Sequence, residues 1–483
     1  MPASEINWMA IAPFLSLSVL GFIILTIGIV APKLYRETQG AILLVGFAIA
    51  FVFTLFGWGE SQSAFSGLIV MDKFAVAFNC MFIIGAILTL LLSINAVEGS
   101  YLLYSDYFSL LVFATAGMTL MASGTHLLTI FLGLETLSIA LYVLAGFRRT
   151  NIFSLESAFK YFLLGAFASG FLLYGIALVF GAVGSANLDA IGAYISENGI
   201  GESKMLITGL LLLFVGFGFK ISVFPFHLWT PDVYQGAPTP ISAFMATGSK
   251  AAGFAALLRL FVSSSIINET GWQEMIWIIS VVTMLLGNII AIKQSNVKRM
   301  LAYSSIAHAG YVLIGVLAGN HLGSSGVVFY LLIYTFMNIG AFGVVSYISS
   351  AKHEFVTFSD FRGLAFQRPF AAIAMAVFMF SLAGIPPTAG FMAKFYVFSA
   401  AVKAGYVWLV IFAVISSMIS LYYYLNLLVQ MFMAPKSSEA PAMAKQQPAV
   451  ALALTLSLFA VIFIGLFPAR WIDLFKEMAG SLM

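Results

Sequence analysis

An all-α, polytopic membrane fold with about fourteen transmembrane helices is the class this sequence predicts, and three observations predict it. Of its 483 residues 61% are hydrophobic and only 8% charged, with 47 Phe, far from the composition of a soluble domain. The apolar residues gather in runs of about 17 to 25, the length that crosses a bilayer as a helix. Those runs lack the period-two alternation of barrel strands and are too long for them, so helices follow.

The runs begin near Trp8, Gly40, Phe74, Tyr107, Thr125, Ser154, Met205, Pro240, Trp272, Arg299, Ser324, Arg368, Val407 and Pro448. The first is read as a span and not a cleaved leader, because MPASEINW carries no basic region ahead of it. Two spans differ from the rest. MLITGLLLLFVGFGFKISVFPFHLWTPDVY and the stretch containing SLAGIPPTAGFMAKFYVF are each too long for one plain crossing, and each has proline inside it. Proline removes a backbone donor and clashes with the preceding turn. Both spans therefore read as broken helices, interrupted at Pro225 and Pro231 in one and at Pro386 and Pro387 in the other.

The broken helix is fourth among helices four to eight and fourth again among helices nine to thirteen. Five spans is an odd number, so the second group inserts upside down. Paired interruptions at corresponding places point to inverted repeats with a site near the midplane. The predicted organisation is three N-terminal helices over 1–106, a first five-helix repeat over 107–265, a second over 266–435, and a C-terminal helix and tail over 436–483.

Charge and cysteine usage exclude several functions. The net charge of +3 is spread over separate loops, with no basic cluster of the kind that binds nucleic acid. The lone Cys80 cannot form an internal disulfide, a thiolate iron–sulfur site or a cysteine-based zinc site. Orientation follows from the positive-inside rule. Lys33, Arg36, Arg148, Arg149, Lys293, Lys298, Arg299, Lys352, Arg362, Arg368, Lys436 and Lys445 occupy one set of loops. Only Lys73, Lys204, Lys403, Arg470 and Lys476 occupy the other, which places both termini outside. The loop after the third helix, with Glu98 and Asp106, carries no positive charge and adds nothing to that count.

The remaining cations, Lys160, Lys220, Lys250, Arg259 and Lys394, fall inside the apolar spans together with Glu135. A cation at the bilayer centre costs from about 3 to over 10 kcal/mol, so such residues are functional-site candidates. Glu135, in FLGLETLSIALYVLAGF, lies about 16 Å into its helix at 1.5 Å per residue, beyond any snorkelling route. Burial as a neutral hydrogen-bond donor would serve packing alone, but several buried lysines offer it ionic partners. Lys160 is shallower, and Glu156 one turn before it makes a plain i,i+4 pair a close rival to function. Lys220 is the strongest candidate, mid-membrane and seven residues before His227, which shares its face if the helix persists between them. Lys250 lies among small residues, with backbone carbonyls of the broken helix as its structural alternative. Arg259 lies further out and is expected to snorkel. Lys394 follows Pro387 by seven residues. His308 sits mid-span in AYSSIAHAGYVLIGV, where a proton relay and a packing hydrogen bond weigh equally.

FLGLETLSIALYVLAGF, GFGFKISVFPFHLWTPDVYQGAPTPISAFMATGSKAAGFA and SLAGIPPTAGFMAKFYVF together resemble the antiporter-like subunits of respiratory complex I, most closely the subunit N branch. Lys394 stands where the subunit M pattern has glutamate, and the chain lacks the long lateral helix of subunit L. The resemblance implies a proton relay in which Glu135 pairs with a lysine, Lys160 tunes that pair and Lys220 is the central carrier. Lys250 and His308 would connect it to Lys394 as the exit; His227 joins the relay candidates through its spacing from Lys220. It also implies a bacterial inner-membrane location and contacts with subunit M, the small quinone-proximal subunits and the lipid bilayer. No cofactor is expected in this chain; NADH, FMN, iron–sulfur clusters and quinone are implied in partner subunits. Three alternatives stay open: a multi-subunit sodium/proton antiporter, a ferredoxin- or F420-linked relative, and a substrate-carrying transporter with LeuT-like broken helices.

Overall fold

The computed structural model describes residues 7–31, 34, 36–59, 61–94, 101–201, 203–264, 266–349, 354–435 and 447–481. Its first half holds α1 (Trp8–Val30), α2 (Arg36–Phe56), α3 (Lys73–Ser93), α4 (Tyr101–Ser123), α5 (Leu127–Ala145), α6 (Ile152–Val183), α7 (Leu188–Asn198), α8 (Lys204–Ile221), α9 (Trp229–Gly236), α10 (Thr239–Phe244) and α11 (Lys250–Phe261). The second half holds α12 (Thr270–Ala291), α13 (Val297–Leu317), α14 (His321–Ile348), α15 (Leu364–Gln367), α16 (Pro369–Ala383), α17 (Ala389–Lys403), α18 (Val407–Phe432), α19 (Pro448–Leu466) and α20 (Pro468–Gly480). A small antiparallel hairpin of β1 (Gln62–Ala64) and β2 (Ile69–Met71), with Ser63 opposite Val70, joins α2 to α3.

Among the described residues thirteen helical stretches are long and apolar enough to cross a membrane. The pair α16 and α17 supplies one more, broken, crossing. The protein is a multi-pass membrane protein of the predicted class. Helix starts lie close to those read from the sequence, and the largest offset is at α4. That helix begins at Tyr101 and runs through Asp106, so the expected boundary after residue 106 falls inside it. Ser105 is buried there and donates to Gln39 Oε1 at 2.9 Å, which fixes the early turn against α2. Glu98 lies outside the described residues, as do Lys33, Lys352, Lys436 and Lys445 of the orientation count.

Asparagine N-caps recur, as at Asn151 before α6 and Asn296 before α13, where the side chain accepts an otherwise orphaned amide. Close crossings rest on glycine. A Cβ on Gly117 would meet Gly133 O at 2.6 Å, pinning α4 to α5, and one on Gly310 would meet Met284 N at 2.9 Å, pinning α13 to α12. Such contacts are how helices associate where lipid offers no hydrophobic drive. The core is formed by α11, α13 and α14, buried along nearly their whole length, while α1, α2, α6, α18 and α19 present most of their surface outward.

Both long proline-containing spans are broken. The helix α8 ends at Ile221, Ser222 adopts φ 63°, and α9 starts only at Trp229. Likewise α16 ends at Ala383, Gly384 adopts φ 84°, and α17 starts at Ala389. Pro225, Pro386 and Pro387 lie in the breaks, and Pro231 does not. It occupies the first turn of α9, where the missing N–H would have had no helical partner anyway. The condition for Lys220 and His227 to share a helix face is not met: His227 lies in the turn between α8 and α9.

Candidate functional site

Lys220 lies in the last turn of α8, buried, and its ammonium donates to Ser138 Oγ of α5 at 2.9 Å and Tyr161 Oη of α6 at 3.3 Å. Tyr161 stacks on Trp229 at 4.5 Å, and the indole N–H of Trp229 donates to Phe219 O at 3.0 Å across the break. Gly253 of α11 makes room for the lysine stem, since a Cβ there would meet Lys220 Cγ at 3.3 Å. Glu135, one turn before Ser138, is half-buried and accepts a hydrogen bond from Ser169 of α6. Among the described residues no ion pair joins Glu135 to a lysine. In place of the pairing that the resemblance implies, Glu135 has one hydroxyl contact and Lys220 has two.

Lys160 points elsewhere. It pairs with Glu156 at 2.7 Å, as its spacing predicts, and also with Asp232 of α9 at 2.6 Å; Arg299 of α13 reaches the same Asp232 at 2.6 Å. His227 rests against the Phe224 ring at 5.9 Å, and its Nδ1 is buried with no partner among the described residues.

A π-helical turn, Met245–Ser249, precedes Lys250. The extra residue in that turn rotates the side chains that follow it, a feature frequent at functional sites. Lys250 donates to Ser305 O at 2.8 Å and Ser305 Oγ at 2.9 Å, both on α13. Its acceptors therefore come from α13, not from the carbonyls of the broken helix. One turn on, His308 Nδ1 meets Tyr330 Oη at 2.7 Å and its Nε2 meets Tyr424 Oη at 3.4 Å; Tyr424 also meets Ser304 Oγ at 2.5 Å. Tyr311, on the same helix, presents its ring to the Lys394 ammonium at 4.9 Å and stands edge-on to His308 at 5.6 Å. Lys394 donates to Leu382 O and Ala383 O at 3.0 Å each and to Ser417 Oγ at 2.8 Å. Those two carbonyls are the ones whose helical donors would be the nitrogens of Pro386 and Pro387, which carry no hydrogen. Lys394 also lines a groove of about 660 Å³ with Phe398, Ser417 and Lys403.

Arg259 does not snorkel. It is buried, holds Asp72 through two bonds of 2.8 and 3.1 Å, and donates from Nε to Ala122 O at 2.5 Å. Asp72, which caps α3 far away in the sequence, provides a counter-ion that makes burial tolerable. Outside the spans, Glu354 collects Arg148 at 2.5 Å, Lys298 at 3.6 Å and the Thr239 hydroxyl at 3.2 Å. Burial pushes its carboxyl up, but Lys298 and Arg148 outweigh that and hold it below the ordinary carboxylate value.

The profile of the NADH:quinone oxidoreductase/Mrp antiporter transmembrane family matches residues 124–420. A relative from Trichlorobacter lovleyi, NADH-quinone oxidoreductase subunit N, is 47% identical over 99% of this chain and 98% of its own. The chain belongs to this family. Another member, from Roseiflexus castenholzii, is 42% identical over 94% of this chain and 93% of its own. A chain in the structure of respiratory complex I from Thermus thermophilus with bound aureothin superposes with a TM-score of 0.82 at 37% identity, covering 95% of this chain and 98% of that one. A chain of the Mrp complex from Dietzia sp. shares the fold, with a TM-score of 0.86 at 20% identity over 99% and 98% of the two chains.

Within this family fold the titratable residues singled out from the sequence fall into two groups. Lys220, Lys250, His308 and Lys394 are buried, on α8, α11, α13 and α17, whereas Lys160 joins the Asp232 cluster and His227 stands in the break. Sequence reasoning noted Ser305 only as a neighbour of His308 and missed the other groups that bond these residues, Ser138, Tyr161, Ser169, Tyr330, Tyr424 and Ser417. Only Ser138 carried a usable signal, standing three residues after Glu135 on the same face; the others look like ordinary residues of an apolar helix.

Proposed function

We propose that this chain is the subunit-N-type proton-translocating unit of a membrane NADH-quinone oxidoreductase, built as two five-helix repeats of opposite orientation. One observation carries the reading. From Ser169 and Glu135 through Lys220, Lys250, His308 and Lys394, every buried ammonium or imidazole is bonded to a hydroxyl or carbonyl, and these groups pass from one broken helix to the other. Corresponding helix pairs also pack on one another, α4 on α5 as α12 on α13, and α6 on α8 and α9 as α14 on α16 and α17. A relay needs such groups, because every unpaired charge or bare carbonyl at this depth is costly.

No redox step is assigned to this chain. NADH oxidation and quinone reduction belong to partner subunits holding FMN and iron–sulfur clusters, and the membrane neighbours are subunit M and the small quinone-proximal subunits. Glu135 lies half-exposed between outward-facing Leu132 and Ile139, a position that calls for cover by such a neighbour. The host membrane is the bacterial inner membrane, with both termini on its periplasmic side. Charge movement in the quinone-proximal subunits shifts the field on Glu135, and the protonation of Lys220 follows. Each proton moved against 100 mV costs about 2.3 kcal/mol, the equivalent of fewer than about two pKa units at each carrier. Replacing Lys220→Ala removes the pumping owed to this subunit while the complex still assembles. Full proton-to-electron stoichiometry in an intact Lys220→Ala complex would sink the reading.

A further inference from the structure

Glu135 and Lys220 do not touch, yet a small cavity lies between their surroundings. Ser138, Ser169, Tyr142, Gly165, Gly216 and Lys220 are among the residues lining it, and about 10 Å³ of it is open to the centre of a water-sized sphere. That is room for about one water molecule. Glycine keeps the space: a Cβ on Gly165 would meet Tyr142 Oη at 2.1 Å, and one on Gly216 would meet the Leu172 side chain at 2.7 Å. An ammonium has three donors, and Lys220 uses two of them, on Ser138 and Tyr161. The cavity has room for a water that would accept the third. Ser169 belongs to both sides, lining the cavity while its hydroxyl donates to Glu135.

We infer that Ser169 is a latch: its hydroxyl holds the Glu135 carboxylate off Lys220 while its oxygen accepts from one water in the cavity that Lys220 bonds, and that link between the two breaks when the latch turns. Ser169 is thus a positioning residue that acts through Glu135. This rests on the relay reading above and adds to it the residue that sets how strongly the acid and the lysine feel each other. With its hydroxyl toward Glu135 the carboxylate stays at the outer face of α5 and α6; with its hydroxyl toward the cavity it bonds the water that solvates Lys220.

The test uses the intact oxidoreductase reconstituted into liposomes, scoring protons pumped per NADH oxidised. Ser169→Ala is expected to lose the same share of pumping as Glu135→Gln. Ser169→Thr, which keeps the hydroxyl, is expected to restore it. The Ser169→Ala/Glu135→Gln double variant is expected to fall no lower than Glu135→Gln alone, since two residues acting as one unit are not additive. Normal pumping by Ser169→Ala beside a deficient Glu135→Gln overturns the latch and leaves the relay standing. A further drop in the double variant also overturns it, by showing a role independent of Glu135. Normal pumping by both Glu135→Gln and Lys220→Ala overturns the relay reading itself, and the latch with it.

Discussion

In the second broken helix the lysine sits after the break and turns back onto it; in the first it sits before the break and turns away. Lys394 donates to the carbonyls of Leu382 and Ala383, which the two prolines leave without helical donors, and Ser417 takes its third N–H. Lys220 contributes nothing to its own break. There Trp229 bonds Phe219 O from the far side, the Ser222 amide shares that carbonyl, and Phe224 N reaches Thr283 Oγ1 at 3.0 Å. The two lysines are therefore held differently. One is tied into the backbone as well as to Ser417, and the other is held by the side-chain hydroxyls of Ser138 and Tyr161 beside a water-sized space.

The largest difference should show in stability. Lys394→Met takes the ammonium donor from the Leu382 carbonyl, which His308 also contacts, while Ser417 still reaches Ala383 O at 3.2 Å. A buried hydrogen bond to a charged group is worth about 1.5–3 kcal/mol, so the purified complex should unfold at a lower temperature. Lys220→Met should leave that temperature unchanged although, on the proposed function, pumping falls. Equal shifts from the two substitutions would erase the distinction.

A smaller effect belongs to the first break. Trp229→Phe keeps much of the ring stack on Tyr161 but removes the indole donor to Phe219 O, which retains the Ser222 amide at 3.1 Å. About 1 kcal/mol is expected, the net worth of one such bond, read as a modest drop in the same melting curve. A loss as large as that of Lys394→Met would mean that Trp229 carries the break unaided.

The smallest effect concerns the loop where the first broken span turns into α10. Lys298 donates to Ala237 O at 2.7 Å while Glu354 holds Lys298, Arg148 and Thr239. The Glu354 carboxyl is held below its ordinary value of 4.5, so its contribution is complete above that value and fades as pH falls through the lower, folded value. Amide exchange at residues 237–242 should accelerate on acidification, with no matching change at 384–389, where the described structure shows no carboxylate contact. Glu354→Gln should give the faster exchange already at neutral pH. Unchanged exchange in that variant would count against the Glu354 cluster as the anchor.

Legibility varied with the range of the interaction. Length and hydropathy make the spans readable, because a helix in lipid satisfies its backbone from within its own sequence. Proline made the two breaks readable for the same local reason. Pro231 was misread because its consequence depends on where a helix restarts, which the sequence between Pro225 and Trp229 does not announce. Arg259 was misread because its partner, Asp72, lies on another helix far away in the chain. The structural alternative for Lys250, acceptors on the broken helix, named the wrong helix, because Ser305 of α13 supplies both.

By itself the sequence determined the membrane class, the positions of nearly all helices, the two interruptions and the set of titratable residues held at depth, since each follows from local composition and from the cost of charge in hydrocarbon. Only the tertiary structure decided who meets whom: that Ser138 and Tyr161 take Lys220, that Ser305 takes Lys250, that Tyr330 and Tyr424 flank His308, and that Lys394 closes its own break. Hydrogen bonds between helices depend on rotation and crossing, set by glycine contacts such as Gly117 with Gly133 and Gly310 with Met284. No periodicity within a single helix encodes that geometry.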